Sequence, residues 1–547
     1  MIRFIDVGRG ANRHEGRRVY RGVHAMKLTE SQRKLLIPLA LVGVLLIAFA
    51  LRAHRVADPI GGFHAFNEGF YTKIAAADMH RGAFDWLLAP ADRNNPPLYS
   101  LIVTGLFLVF GPSVALARLV SVAAGVATVY YTFLLGRTLY TKRIGLLAAA
   151  ILAVTPGFAL VNHNIQVDSL MVFFIVAGTY HYIHAIPGDD RREALLGGAL
   201  MGLALATKLP AVVAPIVLAL WETWRTHGVK WVKARRVVPF VGGMFALGLP
   251  WYVTRLVIDG SAYLTGQAAL SGNAASVDSW LTFRYKVLNE LLWMLSPVLA
   301  ALAVAALIYL IRKRSAGDRL VLLSVGAYVG FYLVYNFHSY YLIPLAPFAA
   351  LAVARAAFAL ARRVPVAVWA VTVVLPYLLV ATMVMFAGQK YGLWSPSQVL
   401  ATLPVPPSQA TVYDTFELAG SYQPAIEYAL APAKVIELPD GFDLERDMPL
   451  AKTGETYLIT SFEPRSQDGD TPEYIAAYTE EQTSAFFFGL EFTQVPNNRH
   501  FFGNGVWRVR WVGAPYFGYV SETRQLNPGD AFLRLYDAKV VRDFVAN

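Results

Sequence analysis

Long apolar runs alternate with short polar breaks over the first seven-tenths of the chain. The runs cover residues 35–51, 98–110, 113–139, 144–160, 169–186, 194–224, 237–257, 286–310, 320–335, 342–361 and 364–387. A membrane-crossing helix needs roughly 20 apolar residues, so 98–110, which ends at Gly111-Pro112, is expected to lie at the interface rather than to span. Basic residues gather in alternate breaks: Arg137 with Lys142-Arg143, Arg191-Arg192, Lys230 to Arg236, Arg312-Lys313-Arg314, and Arg362-Arg363. Short loops rich in Lys and Arg stay on the cytoplasmic side. A single helix over 194–224 would put Arg225 and the basic run behind it on the wrong side. The interruption Thr207-Lys208-Leu209-Pro210 therefore predicts a hairpin of two short spans with Lys208 at its outer tip. The pattern as a whole predicts about eleven spans, with the amino end inside and the carboxyl end outside.

Composition agrees with this reading. Of 547 residues, 56% are hydrophobic and 16% are charged, against roughly 25% charged in soluble domains. The net charge of +11 would point to nucleic acid, but the basic residues sit mostly in loops between apolar runs, where topology accounts for them. The chain has no cysteine, which excludes disulfides, thiolate nucleophiles and Cys-bound zinc. Residues 1–34 read as a basic cytoplasmic tail, with Met26 an alternative start. Ala48-Phe49-Ala50 fits a signal-peptide cleavage site, but the many later spans favour a retained first anchor over 35–51. Residues 35–388 form the transmembrane part, with an outer loop at 54–112. After a linker with Ser395-Pro396, Pro404 and Pro406-Pro407, residues 389–547 read as a small extracytoplasmic α/β domain. Its strands are expected at 411–416, 434–438, 455–461 and 506–512, and its helices at 421–430 and 473–479.

The topology brings three polar segments to the outer side: Asn67-Glu68, Gln166-Val167-Asp168-Ser169, and 336–341 with His338, Tyr340 and Tyr341. Ionisable groups at membrane level are costly, so their convergence points to a shared pocket. Glu68 is the candidate general base for deprotonating an acceptor hydroxyl. Asp168 is placed to orient the acceptor or to join Glu68 in holding a divalent ion. Arg118, Lys208, Arg255, Arg284 and Lys286 are the cations available to a phosphate. Plainer roles exist for each. Glu68 would serve as a solvated loop carboxylate, Asp168 as a helix cap, Arg118 and Lys208 as snorkelling side chains, and Tyr340-Tyr341 as interfacial belt. His64, His163 and His338 stand singly, without zinc-ligand spacing.

The order of these motifs resembles a family. Acidic residues after the first span, Asn95-Pro96-Pro97-Leu98-Tyr99, Phe110-Gly111, Ala117-Arg118-Leu119, Gln166 to Leu170, Ala206-Thr207-Lys208 and Tyr341 to Pro347 are similar to polyprenyl-phosphate-sugar-dependent transferases of the GT-C class. The nearest groups are the lipid A aminoarabinose transferases and the protein O-mannosyltransferases. The resemblance implies an α-helical polytopic GT-C fold and transfer of a sugar from an undecaprenyl- or dolichyl-phosphate carrier. The acceptor would be a hydroxyl on lipid, glycan or protein at the outer face of the plasma (inner) membrane, and transfer would proceed with inversion. Glu68 matches the second acid of the mannosyltransferases' Asp-Glu pair, and Asn67 stands where the first is usual. Asn95 stands where the aminoarabinose enzymes place a lysine. Asn67, Asn95, Arg118, Lys208, His338, Tyr340 and Tyr341 are the expected substrate-binding residues. Two other classes compete: a transporter of lipid-linked sugars, and a non-catalytic scaffold of envelope assembly. Transporters carry paired repeats; none is visible here, which favours the enzyme.

Overall fold

The computed structural model describes residues 30–271 apart from 59, 61–64, 83, 91 and 93–94, then 291–334 apart from 292–293, then 341–361, 374–379 and 382. Beyond residue 402 it describes 403–414, 427–428, 431–438, 444–450, 455–460, 473, 476–478, 484–487, 490–495, 506–511, 517–518 and 533–545. The helices are α1 (Glu30–Ala53), α2 (Ala65–Asp78), α3 (Asp85–Leu88), α4 (Leu98–Phe110), α5 (Val114–Leu139), α6 (Lys142–Ala153), α7 (Pro156–His163) and α8 (Val167–Ala185). They continue with α9 (Arg191–Leu205), α10 (Val213–Arg225), α11 (Val237–Ile258), α12 (Ser261–Ser271), α13 (Pro297–Lys313), α14 (Ala316–Val334) and α15 (Leu345–Ala361).

Among the described residues, three helices are long and apolar enough to cross a membrane: α1 from Leu35, α5 and α11. A fourth span arises if α6 and α7, bent by 64° at a short break, count as one. Two further apolar helices, α4 and α15, are shorter, and the expected runs at 286–310 and 364–387 lie partly outside the described residues. The break falls before Pro156, which starts α7 where its missing N–H costs nothing. A second break follows α9, where Lys208 leads into a 3-10 turn carrying Pro210, as the interrupted run 194–224 predicts. Exposed Leu39, Leu46 and Phe49 on α1, Val253 and Val257 on α11, and Val304 and Ile308 on α13 present apolar surface of the kind a bundle turns to lipid. The protein is a multi-pass helical membrane protein.

Small residues set the tightest helix crossing. Gly198 and Gly202 stand four apart on α9, and a Cβ on Gly198 would lie 2.0 Å from the Phe240 carbonyl oxygen of α11. Without a hydrophobic drive in lipid, such close backbone approach is what holds spans together. Gly125 of α5 approaches α7 in the same way, where a Cβ would fall 2.2 Å from Asn162 Oδ1.

The bundle has two chemically distinct ends. At one, Arg236 pairs with Asp189 at 2.9 Å and with buried Glu222 at 2.7 Å. Trp221 Nε1 donates to the Ala316 carbonyl, Arg319 lies over the Trp224 ring, and Arg355 reaches Asp318. These contacts gather the basic breaks after α8, α10 and α13 onto one face. The starts of α5 and α8 and the break after α9 lie at the opposite end, and they carry Arg118, Asp168 and Lys208.

Past the bundle, strands β1 (Ala410–Asp414), β2 (Lys434–Glu437), β3 (Glu455–Thr460), β4 (Ala476–Tyr478) and β9 (Leu533–Asp537) form a sheet in the order β2-β1-β3-β9-β4. Strand β1 runs parallel to β2 and β3, whereas β9 is antiparallel to β3 and β4. Tyr413, Leu458 and Tyr536 pack with Ala538 and Val541 of a closing helix, Ala538–Val545. A separate antiparallel sheet joins β5 (Ser484–Phe487), β6 (Leu490–Val495), β7 (Val506–Trp511) and β8 (Phe517–Gly518). The helix expected over 473–479 is a correction: Ala476–Tyr478 is strand β4, registered against Leu533–Leu535. The Ala pair reads as helix-forming, but the surrounding Tyr and Ile suit a strand, and pairing with β9 decides it. The helix expected over 421–430 lies outside the described residues except for 427–428, which are helical. Tyr428 and Val114 both pack against Ile60, and Glu427 forms an ion pair with Lys73 of α2, so this segment meets the bundle at the end that carries Arg118.

Candidate active site: two buried ion pairs on one turn

The site is built on the turn 164–166 between α7 and α8. Glu68 does not sit in an open loop, as the polar stretch 61–99 suggests; it occupies the first turn of α2 and is completely buried. Arg118, one turn into α5, grips it through two parallel bonds, Nε to Oε1 and Nη2 to Oε2, both 2.7 Å. The rest of the Arg118 guanidinium is spent on the carbonyls of Val56 (3.0 Å) and Asp58. Ile165 N–H donates to Glu68 Oε1 at 3.2 Å, tying the carboxylate to the turn. Both plainer roles, solvated carboxylate and snorkelling arginine, are overturned, since neither group reaches water. A fork-to-fork arginine–carboxylate pair in a dry site fixes orientation as well as charge.

Three residues past Ile165, buried Asp168 forms the second pair. Lys208 Nζ donates to Asp168 Oδ1 at 3.1 Å and to Oδ2 at 2.9 Å. The ammonium also lies 4.1 Å from the centre of the Tyr341 ring, an arrangement that attracts a cation to the ring face. Asp168 is in the first turn of α8, where the helix dipole favours its charge. Its carboxylate is nonetheless engaged by Lys208 from the break after α9, and the snorkelling role for Lys208 is likewise overturned.

Asn67 joins this layer: its Nδ2 donates to Gln166 Oε1 at 3.2 Å. Asn95 does not. Its side chain and backbone N–H both turn to Asp92. Arg255, another candidate phosphate cation, pairs with Asp259 at 2.9 Å and reaches the Leu87 and Leu88 carbonyls at the end of α3. His338, Tyr340, Arg284, Lys286 and His64 lie outside the described residues. On the α2 face, partial burial holds the Lys73 ammonium below its ordinary pKa.

Behind the ion pairs stands a polar layer that the sequence reading missed. Arg52, fully buried in the last turn of α1, donates to Ala48 O and Ala153 O at 3.0 Å and to Asn162 Oδ1 at 3.3 Å. Its own carbonyl meets His163 Nδ1 at 2.7 Å. The guanidinium thus caps the broken end of α6 and fixes α7, the helix that delivers the turn. Tyr99 OH and Ser121 Oγ, 2.9 Å apart, support the turn from α4 and α5. A cation inside an apolar span is the signal that would have found Arg52.

The arrangement does not fit a divalent ion held between Glu68 and Asp168. Each carboxylate already spends both oxygens on a fixed cation, and the two neighbouring positive charges would repel another. Among the described residues, no group of three or more His, Asp or Glu side chains is placed to hold a metal.

Residues 94–253, which hold Arg118, Asp168 and Lys208, match the family model described as dolichyl-phosphate-mannose-protein mannosyltransferase. The fold is similar to that of ArnT from Cupriavidus metallidurans bound to undecaprenyl phosphate. The TM-score is 0.58 at 14% identity, covering 81% of this chain and 96% of that one. The chain shares the fold of that structure. A second structure, the Archaeoglobus fulgidus oligosaccharyltransferase in complex with zinc and sulfate, is similar with a TM-score of 0.52 at 14% identity. That likeness covers 73% of this chain and 62% of the other. No curated protein matches the sequence.

Proposed function

We propose that the protein is a membrane glycosyltransferase that moves a sugar from a polyprenyl-phosphate carrier to a hydroxyl on a lipid, glycan or protein acceptor. The observation that carries this reading is the pair of buried, fully oriented carboxylate–cation contacts, Glu68–Arg118 and Asp168–Lys208, on either side of one turn. Charged groups in a membrane bundle are retained where chemistry needs them. The undecaprenyl phosphate in the ArnT structure and the mannosyltransferase description of the matched model supply the donor class. By the positive-inside rule, the basic end of the bundle faces the cytoplasm. The ion pairs, and residues 389–547 beyond the bundle, then face outward across an inner membrane crossed about eleven times.

In the resting arrangement both oxygens of Glu68 are engaged by Arg118. A phosphodiester arriving beside Arg118 competes for the same guanidinium and loosens that grip. Glu68 then accepts the proton of the acceptor hydroxyl, and the hydroxyl oxygen attacks the anomeric carbon. The bond from that carbon to the phosphate oxygen breaks, and its electron pair leaves with the polyprenyl phosphate, which Arg118 and Lys208 steady. Asp168 holds Lys208 in place. His338, Tyr340 and Tyr341, with Asn67 and Asn95, are the remaining candidates for sugar and acceptor contacts.

A single displacement inverts the anomeric centre. Proton NMR of the isolated product is expected to show the configuration opposite to that of the donor; a retained configuration would reject this mechanism. No structural observation favours the transporter or the scaffold.

A further inference from the structure

Gln166 is one of the buried residues whose side chain the fold leaves incompletely hydrogen-bonded, and the one placed between the two ion pairs. It is fully buried, and three of its four polar groups are accounted for. Its backbone N–H donates to Ser121 Oγ at 3.0 Å, and its carbonyl accepts from the same hydroxyl at 3.3 Å. Its side-chain Oε1 accepts from Asn67 Nδ2 at 3.2 Å. The fourth group, Nε2, is buried and has no hydrogen-bond partner among the described residues.

A buried donor left without a partner is costly to the fold. Ser121 pins the backbone, and Asn67 donates to the side-chain oxygen. The placement is specific. The preceding residue, Ile165, donates to Glu68, and the next residue but one, Asp168, holds Lys208. The orphaned donor therefore belongs to the turn that joins the two ion pairs.

We propose that Gln166 Nε2 is a substrate-recognition donor, completed by an oxygen of the lipid-linked sugar: a phosphate oxygen or a sugar hydroxyl. This rests on the glycosyltransferase reading. Gln166 would then read the donor while Glu68 acts on the acceptor, and the fold would carry the cost of an unmade bond until substrate arrives.

The test uses the full chain purified in detergent, titrated with undecaprenyl phosphate and separately with undecaprenyl phosphomannose. Gln166→Glu keeps an oxygen for Asn67 but replaces the donor with an acceptor; Gln166→Leu removes the amide altogether. Asn67 is only half-buried and can turn its own amide to water, so the Leu variant without ligand should melt no lower than wild type. Both variants are expected to bind about tenfold more weakly, the worth of one hydrogen bond to a charged or strongly polar oxygen. A loss with both lipids assigns the contact to the phosphate, and a loss confined to the phosphomannose assigns it to the sugar. Wild-type affinity of Gln166→Leu for both lipids would overturn the proposal, as would a lowered melting temperature with unchanged affinity, the signature of a structural amide or of one satisfied by a buried water. A wild-type protein that binds neither lipid would instead overturn the glycosyltransferase reading itself.

Discussion

Replacing Glu68 with glutamine is expected to reduce sugar transfer by about 10²- to 10⁴-fold, the range lost when a positioned general base is removed. The substitution keeps the size and shape of the side chain, so the turn at 164–166 stays in place. One amide oxygen still accepts from Arg118 and Ile165, in the positions of the present bonds. The new NH2 group faces Arg118 Nη2 and breaks the second bond. Arg118 retains the carbonyls of Val56 and Asp58, so its charge is not stranded. The variant should therefore fold and enter the membrane, with a modest fall in melting temperature and a collapse in turnover. Turnover within a few-fold of wild type, assayed on the same folded preparation, would remove Glu68 from the chemistry.

Arg118→Met is expected to act in the opposite manner, as a stability lesion of about 3–5 kcal/mol, the cost of stripping one partner from a buried pair. Glu68 would remain fully buried without the guanidinium that now balances its charge, and a carboxylate stripped of its counter-charge at that depth must either take up a proton or pull the turn apart. The measurement is thermal unfolding of the purified protein together with its yield in the membrane. The double variant Glu68→Gln/Arg118→Met carries no buried charge at this position and should recover most of the lost stability while remaining inactive. Recovery of stability without activity separates the two roles of the pair. A double variant as unstable as Arg118→Met would show that the arginine matters for its carbonyl contacts rather than for its charge.

Much of this site was legible in the sequence as a set of residues, and little of it as a set of contacts. Glu68, Arg118, Asp168 and Lys208 stand out because a charged side chain beside an apolar run is costly. Their pairing, across 50 residues in one case and 40 in the other, follows from the packing of α2 on α5 and of α8 beside the break after α9, which no local pattern encodes. The helices α5 and α11 were readable from apolar length, and the break at Lys208 from the charge rule. The bend between α6 and α7 was not, because the run 144–160 is apolar throughout and only Pro156 hints at it. Gln166 escaped notice as a donor because a lone glutamine carries no signal until its neighbours are known.

The central claim is that the turn carrying Ile165 and Gln166, with Asp168 just beyond it in α8, belongs to a sugar-transfer site served by a lipid carrier. Its most direct test adds the purified protein to washed envelope membranes from a strain deleted for it and follows polyprenyl-phosphate-linked sugars by mass spectrometry. The account predicts that wild-type protein depletes one lipid-linked sugar and releases the free polyprenyl phosphate, and that Glu68→Gln does neither. No depletion by the wild-type protein, or equal depletion by both, would contradict it.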